Sequence, residues 1–214
     1  MLELIDFVEG RVIRVGAEAV VREAFWKDVK LVKKHRLPKR YRQESIDARV
    51  RRNRTVHEAK TLTYLSENGV PAPLLLFLDL KQSAIYMQMI EGVELRFVSN
   101  PLDRAVRLGE IVGLMHSLNI AHGDLTLSNI IVDRSDGLWL VDFGLSVFNA
   151  ELEEKAVDIH LLERSAASTF PNLSSSFVKL FLDGYRSVTG EGQVEKILKK
   201  VSEIRRRGRY VVKS

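Results

Sequence analysis

The chain contains the stretch HGDLTLSN at residues 122–129, and VDFG follows it at residues 141–144. Three side chains in these stretches end in oxygen atoms that suit a divalent metal ion: Asp124, Asn129 and Asp142. Carboxylate and amide oxygens are protein ligands that Mg²⁺ accepts, together with phosphate oxygens and water. The residues between the two stretches predict a short hairpin, with Asn129 at its start and Asp142 at its exit. We therefore expect the three side chains to belong to one site.

The order and spacing of these residues match a signature of protein kinases. That signature, H-R-D-L-x-x-x-N followed by D-F-G, supplies a catalytic aspartate and two metal ligands. Asp124 would orient the attacking hydroxyl or water and accept its proton, and Asn129 and Asp142 would bind Mg²⁺. We predict a phosphoryl-transfer enzyme with ATP and Mg²⁺ as cofactors. His122 is expected to pack beneath the Asp142 segment rather than to titrate in catalysis.

Two differences from that signature bear on the substrate. Gly123 stands where protein kinases have the arginine that receives an activation-loop phosphate. No A-P-E sequence follows Gly144, and only residues 145–151 precede the next predicted helix. We therefore expect neither activation by phosphorylation nor a platform that binds peptide substrates.

The composition favours one kinase-like unit. The 214 residues, 45% of them hydrophobic, are enough for two small lobes with apolar cores. The absence of cysteine excludes disulfides and thiolate metal sites. The chain shows neither a signal-peptide pattern nor an apolar run long enough to cross a membrane, so a cytoplasmic location without membrane contact is expected.

Positive charge is concentrated in two segments. Residues 27–60 hold thirteen Lys and Arg against four Asp and Glu, and residues 196–213 hold eight against one. Because the formal net charge is +5, the rest of the chain carries −11. Basic surfaces of this kind attract nucleic acid. A solvated helix face with a frayed tail is the alternative, and charge alone does not separate the two.

The first part of the chain predicts strands and one main helix. Strands are expected over residues 11–15, 20–24, 29–34, 74–78 and 84–89. The helix is expected over about 47–67, with Glu58 on its apolar stripe. A glutamate on a buried stripe requires a cationic partner, because an unpaired buried charge is unfavourable. Lys34 and Lys33, at the end of the third strand, are the candidate partners, and alternation along the strand would point only one of them inward. Lys34 is preferred, largely on the family resemblance given below.

Further residues of the first lobe are candidates for contacting the nucleotide. Residues 16–19 form a predicted turn at the position of a phosphate-covering loop, although it has one glycine instead of three. Gly16 and Ala17 would approach phosphate through their backbone N–H groups, and a plain hairpin turn without phosphate contact is the alternative. Lys34, paired with Glu58, would hold the α- and β-phosphates. The remaining candidates lie at the link between the lobes: Met87, Gln88 and Met89.

The second part of the chain predicts mainly helices. An apolar stripe with a 3.6-residue period indicates a helix over 101–118. A hairpin over 130–132 and 138–141 follows, and helices are expected near 154–168, 174–188 and 194–206. These elements predict an α+β protein with a minimal two-lobed protein-kinase-like fold. Its small antiparallel-sheet N-lobe, with one main helix, would span residues 1–90, and its mainly helical C-lobe, with a basic tail, residues 91–214.

The chain resembles the small atypical serine/threonine kinase/ATPase of the KEOPS (EKC) complex. The blocks that carry this resemblance are KHRLPKRYR at residues 34–42, RTVHEA at 54–59, HGDLTLSN at 122–129, DFGLS at 142–146 and the Arg-rich end. The similarity covers essentially the whole chain. The first block is more specific than the catalytic loop, because H-G-D also occurs in RIO-type kinases and small-molecule phosphotransferases.

The resemblance implies a protein that binds Mg²⁺-ATP and acts chiefly as an ATPase within its complex, with autophosphorylation on serine or threonine in isolation. It also implies partners: a separate metal-dependent threonylcarbamoyl transferase, the other KEOPS subunits, and the tRNA that receives threonylcarbamoyladenosine. The tRNA is expected to contact the basic segments 27–60 and 196–213.

Two other interpretations stay open at this stage. The chain could be a RIO-like or small-molecule kinase, but the KHRLPKRYR block and the Arg-rich tail argue against this. It could also be a non-catalytic RNA-binding scaffold. That interpretation is disfavoured because all five expected catalytic positions carry competent residues, namely Lys34, Glu58, Asp124, Asn129 and Asp142.

Overall fold

The computed structural model describes residues 7–39 and 41–211, with side chains as far as Arg207. These residues form an α+β protein, as predicted, and their contacts divide it into two units. The first unit holds the described residues up to Glu67 together with Ala72–Ile90. The second holds Asn68–Pro71 and the described residues from Glu91 onwards.

The first unit is an antiparallel sheet with one long helix, as the sequence predicts. Its five strands lie in the order β1-β2-β3-β5-β4. Their bounds are Val8–Val15 for β1, Ala19–Trp26 for β2, Val29–Arg36 for β3, Leu75–Asp79 for β4 and Ala84–Gln88 for β5. Helix α1 spans Glu44–Glu67 and begins three residues before the expected start. Glu44 and Asp47 lie in its first turn, where negative charge is favourable.

The two faces of this sheet bury different chemistry, because side chains alternate along a strand. One face carries an apolar cluster formed by Ala24, Leu31, Ala84 and Tyr86. Lys33 has the same parity as Leu31, and its ammonium lies 5.4 Å from the centre of the Tyr86 ring. Lys34 has the opposite parity and reaches Glu58 on α1. The alternation therefore sends two neighbouring lysines to opposite sides of the sheet.

The second unit is mainly helical. Its helices are α2, Leu102–Ser117; α3, Leu152–Thr169; α4, Ser174–Thr189; and α5, Glu191–Val211. Strands β6 (Gly92–Glu94), β8 (Ile130–Asp133) and β9 (Leu138–Leu140) form a three-stranded sheet in that order. Strand β7 (Ile120–Ala121) pairs with β10 (Val147–Phe148), and two 3₁₀ turns span Leu95–Phe97 and Leu127–Asn129.

Several short elements of the second unit were not expected from the sequence. Strands β6, β7 and β10 and both 3₁₀ turns have only two or three residues each. A periodic pattern cannot be recognised over so few positions, so these elements can be identified only from the hydrogen bonds of the folded chain. Helix α5 also begins earlier and ends later than expected. Among the helices that the structure describes, none has the length and apolarity needed to cross a membrane.

Helices α2 and α4 pack closely because each has a glycine at the contact. A Cβ atom added at Gly184 would lie 1.9 Å from the carbonyl oxygen of Val106. A Cβ atom at Gly109 would lie 2.0 Å from the carbonyl oxygen of Phe181. In both cases the obstacle is backbone, which cannot rotate away as a flexible side chain can. The close approach of these helices therefore requires both glycines.

Gly184→Ala should lower the free energy of unfolding by about 1–3 kcal/mol, because the added methyl group would force the two helices apart. Gly192→Ala is the matched control, since no atom lies within 4 Å of a Cβ there. Alanine favours the helix by up to about 1 kcal/mol over glycine, so the control should be as stable as the wild type or more so. Denaturant unfolding measures both. Equal stabilities of the two variants would contradict this account of the contact.

Candidate active site

Asp124 and Asn129 are in direct contact in the second unit. The Asn129 side chain, which is buried, donates from Nδ2 to both the backbone oxygen and Oδ2 of Asp124, each at 2.9 Å. Because the amide nitrogen is used by Asp124, the Asn129 side chain presents its oxygen as the remaining acceptor. Asn129 ends a 3₁₀ turn, in which the backbone N–H of Asn129 donates to the carbonyl of Thr126. This bond fixes the backbone from which the Asn129 side chain projects.

The His122 ring connects the Asp124 loop with the Asp142 segment. Nε2 lies 3.1 Å from the carbonyl oxygen of Val141, and Nδ1 accepts a 3.3 Å hydrogen bond from the backbone N–H of Asp124. The ring also packs against Phe143, with 4.7 Å between ring centres. Burial lowers the pKa of His122, which keeps the ring neutral near pH 7. The structural role that the sequence suggests for His122 agrees with these contacts.

Gly123 has a backbone conformation and a neighbour that exclude a side chain. Its φ is +80°, in the left-handed region. A Cβ atom there would lie 2.0 Å from the carbonyl oxygen of Leu145. The arginine that protein kinases have at this position would therefore not fit without a shift of the backbone. The close passage of the Leu145 segment explains why H-G-D replaces H-R-D.

Asp158 on α3 holds the backbone of this loop, and sequence reasoning did not assign it a role. Its Oδ2 accepts from the backbone N–H of His122 at 2.5 Å, and its Oδ1 accepts from that of Gly123 at 2.8 Å. Oδ2 also lies 3.2 Å from Nε2 of His116. A carboxylate that accepts hydrogen bonds from consecutive backbone N–H groups fixes the direction of the chain.

The polar chain continues from Asp158 into the core. Nδ1 of His116 lies 3.0 Å from the hydroxyl of Tyr185, and all three side chains are fully buried. Burial raises the pKa of Tyr185, so its hydroxyl stays protonated and can donate a hydrogen bond to Nδ1 of His116. His116 can then donate from Nε2 to Asp158. Every buried polar side chain in this series has a partner, as burial requires.

Asp142 follows Val141, whose backbone N–H donates to the carbonyl of Asn129 at 2.9 Å. Asp142 itself has a φ of +68°, an uncommon conformation for a residue other than glycine. Strain of this kind is of order 1–3 kcal/mol and persists where surrounding contacts enforce it. Here the bonds at Val141 and the packing of Phe143 provide that constraint.

The chemistry of these side chains fits Mg²⁺ that would arrive with a nucleotide. Asp142 and Asn129 would supply oxygen ligands, and the amide nitrogen of Asn129 donates to Asp124. Among the described residues, no group of three or more acidic, histidine or cysteine side chains could hold a metal alone. Mg²⁺ usually takes one or two carboxylates together with phosphate oxygens and waters, so two protein ligands fit this ion.

In the first unit, Glu58 joins two cations of strand β3. Lys34 Nζ lies 2.6 Å from Glu58 Oε1, and Arg36 Nη2 lies 2.5 Å from Oε2. All three residues are buried. Lys33 lies on the other face, where its ammonium contacts Glu9 Oε1 at 2.6 Å. Of the two lysines considered from the sequence, the structure thus pairs Lys34 with Glu58, and it adds Arg36, which shares the parity of Lys34.

The other predicted nucleotide contacts lie at the ends of strands in the first unit. Gly16 and Ala17 occupy the turn between β1 and β2, which is closed by a 2.9 Å bond from Gly16 N–H to Ala19 O. The carbonyl of Ala17 accepts a hydrogen bond from the Lys39 ammonium. At the end of β5 lie Met87 and Gln88, and Met89 follows them. Their contact with a nucleotide stays a prediction.

The two basic segments are described only in part, because residues 40, 212 and 213 lie outside the described residues. Within the second segment, two arginines of α5 are already bonded to acids of α3. Arg205 pairs with Glu163, and Arg207 lies 2.5 Å from Glu153. These two ion pairs join the exposed sides of α5 and α3.

Comparisons with known proteins identify the family and several relatives of this chain. A profile of the RIO domain matches residues 19–165. A probable bifunctional tRNA threonylcarbamoyladenosine biosynthesis protein of Methanosarcina mazei is 39% identical over 94% of this chain and 36% of its own length. The KEOPS complex subunit Bud32 of Pyrococcus abyssi is 36% identical over 94% of this chain and 96% of its own length. The chain therefore spans about a third of the bifunctional relatives it matches.

A solved structure supports the fold assignment independently. The Rio2 kinase of Chaetomium thermophilum, in an ADP/Mg²⁺-phosphoaspartate complex, aligns with a TM-score of 0.66 at 18% identity, covering 93% of this chain and 71% of that chain. This likeness confirms the predicted kinase-like fold. The similarity to Bud32 confirms the resemblance found in the sequence. With a RIO-domain match over more than half of its length, the chain belongs to the RIO-domain family.

Proposed function

We propose that the chain binds Mg²⁺-ATP and transfers or hydrolyses the γ-phosphate, as an atypical serine/threonine kinase/ATPase that supports threonylcarbamoyladenosine synthesis on tRNA. The His122 ring carries this proposal. It contacts the backbone of the loop that holds Asp124 and Asn129 and also the backbone that precedes Asp142. Phosphoryl transfer depends mainly on positioning and charge neutralisation, and a fixed arrangement of these residues suits that requirement.

The three candidate residues of the second unit have defined tasks under this proposal. Asn129 holds Oδ2 of Asp124, so Oδ1 of Asp124 is the atom that would orient the attacking hydroxyl or water and accept its proton. Asp142 and Asn129 would hold Mg²⁺. A bound Mg²⁺ supplies charge neutralisation at the phosphates and polarises the γ-phosphoryl group.

Lys34 has the corresponding task in the first unit. Glu58 holds the Lys34 ammonium, which would bind the α- and β-phosphates. Arg36 occupies the other oxygen of Glu58 and limits the rotation of that carboxylate. Gly16 and Ala17 would approach the phosphates through backbone N–H groups, and Met87, Gln88 and Met89 would contact the base.

The wider role rests on relatives whose names refer to KEOPS and to threonylcarbamoyladenosine synthesis. We place the chain in the cytoplasm as the kinase-like subunit beside a threonylcarbamoyl transferase, with tRNA on segments 27–60 and 196–213. Without its partner subunits, the chain would phosphorylate itself on serine or threonine. In the second segment, Arg205 and Arg207 would have to leave Glu163 and Glu153 before they could contact phosphate.

Asp142→Asn should lower Mg²⁺-dependent ATP turnover roughly 100-fold or more, because a charged metal ligand is lost. The matched control is Asp136→Asn, since Asp136 has a similar backbone conformation with a φ of +66°. Asparagine tolerates this conformation as well as aspartate does, so backbone strain is equal in the two variants. Release of label from γ-labelled ATP measures turnover, alone and with tRNA and the transferase. Wild-type turnover by Asp142→Asn would remove the proposed metal site.

The neighbouring lysines provide a second test. Lys34→Met should lower turnover about tenfold or more, because a hydrogen bond to a charged phosphate is worth roughly 1.5 kcal/mol or more. Lys33→Met makes the same change on the opposite face and should keep most of the turnover. Thermal unfolding of both variants checks that they fold. A loss confined to Lys33→Met would show that the wrong lysine has been assigned.

A further inference from the structure

A small open pocket in the first unit is lined by cationic side chains from three parts of the chain. Arg36 comes from the end of β3, Lys39 and Arg42 from the segment that follows, and Arg51 and Arg54 from α1. Glu18, in the turn between β1 and β2, is the acidic residue of the lining. Arg36 is buried, and the other four cations are half-buried. These cations therefore converge on one concave, partly buried site, unlike the charges of a solvated helix face.

The acids at this pocket do not balance its cations. Glu18 pairs with Arg54 and lies 3.8 Å from Arg36. Asp47 is 2.6 Å from Arg51 and 3.7 Å from Arg42. Hydrogen bonds from Arg54 and Arg51 hold the pKa values of Glu18 and Asp47 below their usual range, so each counts as one full negative charge.

The remaining contacts leave a surplus of positive charge. Glu58 is shared between Arg36 and Lys34. Lys39 donates to the backbone carbonyl of Ala17, which carries no formal charge. Among the described residues, five cations thus face two acids of their own and a share of a third. Like charges held this close repel one another, and an anion with several acceptor oxygens would relieve that repulsion.

An exposed aromatic residue beside the pocket indicates what kind of anion. The Tyr41 side chain is 77% exposed, and the Arg42 guanidinium lies 5.3 Å from the centre of its ring. Exposed aromatic rings next to cationic grooves are the platforms on which unpaired nucleic-acid bases stack. A free inorganic phosphate would give such a ring no stacking partner.

We propose that this pocket binds a backbone phosphate in a single-stranded segment of RNA, and that Tyr41 stacks on a base next to that phosphate. The inference rests on the tRNA contact included in the proposed function and assigns that contact to a site. Lys39 and Arg42 supply charge at the rim. Arg36 lies between the pocket and Glu58, so the bound phosphate would sit one side chain away from the Lys34–Glu58 pair.

Binding of an unmodified tRNA transcript by the full chain, measured by fluorescence anisotropy at several salt concentrations, tests this site. Lys39→Gln combined with Arg42→Gln should weaken binding roughly tenfold or more and reduce the steepness of the salt dependence by about 0.7–1.4 units, for one or two lost phosphate contacts. Arg49→Gln combined with Arg52→Gln removes the same charge from exposed positions of α1 that do not line the pocket. That control should lose clearly less affinity.

Tyr41→Ala should weaken binding about fivefold or more through lost stacking, whereas Tyr41→Phe keeps the ring and should bind as the wild type does. A single-stranded oligonucleotide should compete better than an RNA duplex. Equal losses in the two double variants would show a diffuse charge effect and overturn the site. So would wild-type affinity in Tyr41→Ala.

Binding of ADP with Mg²⁺, measured on the same variants, separates the two possible sources of phosphate. A loss confined to ADP would assign the pocket to the nucleotide and overturn the RNA proposal. If the pocket variants bind tRNA as the wild type does while ATP turnover is intact, the RNA site is overturned and the proposed phosphoryl transfer stands. A wild-type chain that binds no tRNA would overturn this site together with the tRNA contact.

Discussion

The buried carboxylate of Asp158 fixes the backbone from which Asp124 projects. It accepts hydrogen bonds from the consecutive N–H groups of His122 and Gly123, and it lies within hydrogen-bond distance of the His116 ring. A fully buried carboxylate without such donors would be strongly unfavourable, so helix α3 and the loop have to fold together. The position of Asp124 is thereby tied to the core of the second unit.

The rest of the second-unit site follows from that constraint. Once the backbone at Gly123 is fixed, the His122 ring lies between Val141 and Asp124 and holds the segment that carries Asp142. The close passage of Leu145 requires glycine at position 123. In the first unit, Glu58 is instead held by two cations on one strand face. In each unit, hydrogen bonds and ion pairs therefore fix the candidate side chains without a ligand, which suits the proposed phosphoryl transfer.

Sequence reasoning predicted what depends on local periodicity. Alternation along β3 separates Lys34 from Lys33, and the same parity could have identified Arg36. Asp158 could not be found in this way, because its bonds join α3 to a loop 35 or 36 residues earlier. The role of Gly123 depends on a neighbouring carbonyl, which no local pattern reveals. Strands of two residues, such as β7 and β10, leave no periodic signal at all.

Hydrogen exchange at single amides in Asp158→Asn measures directly whether Asp158 holds the loop of residues 122–124 in place. Asparagine offers one oxygen where the carboxylate accepts with two, so at least one buried N–H would lose its acceptor, at about 1–3 kcal/mol. We expect faster exchange at His122 and Gly123 and a parallel fall in ATP turnover. Wild-type protection at both amides, with wild-type turnover, would contradict this role of Asp158.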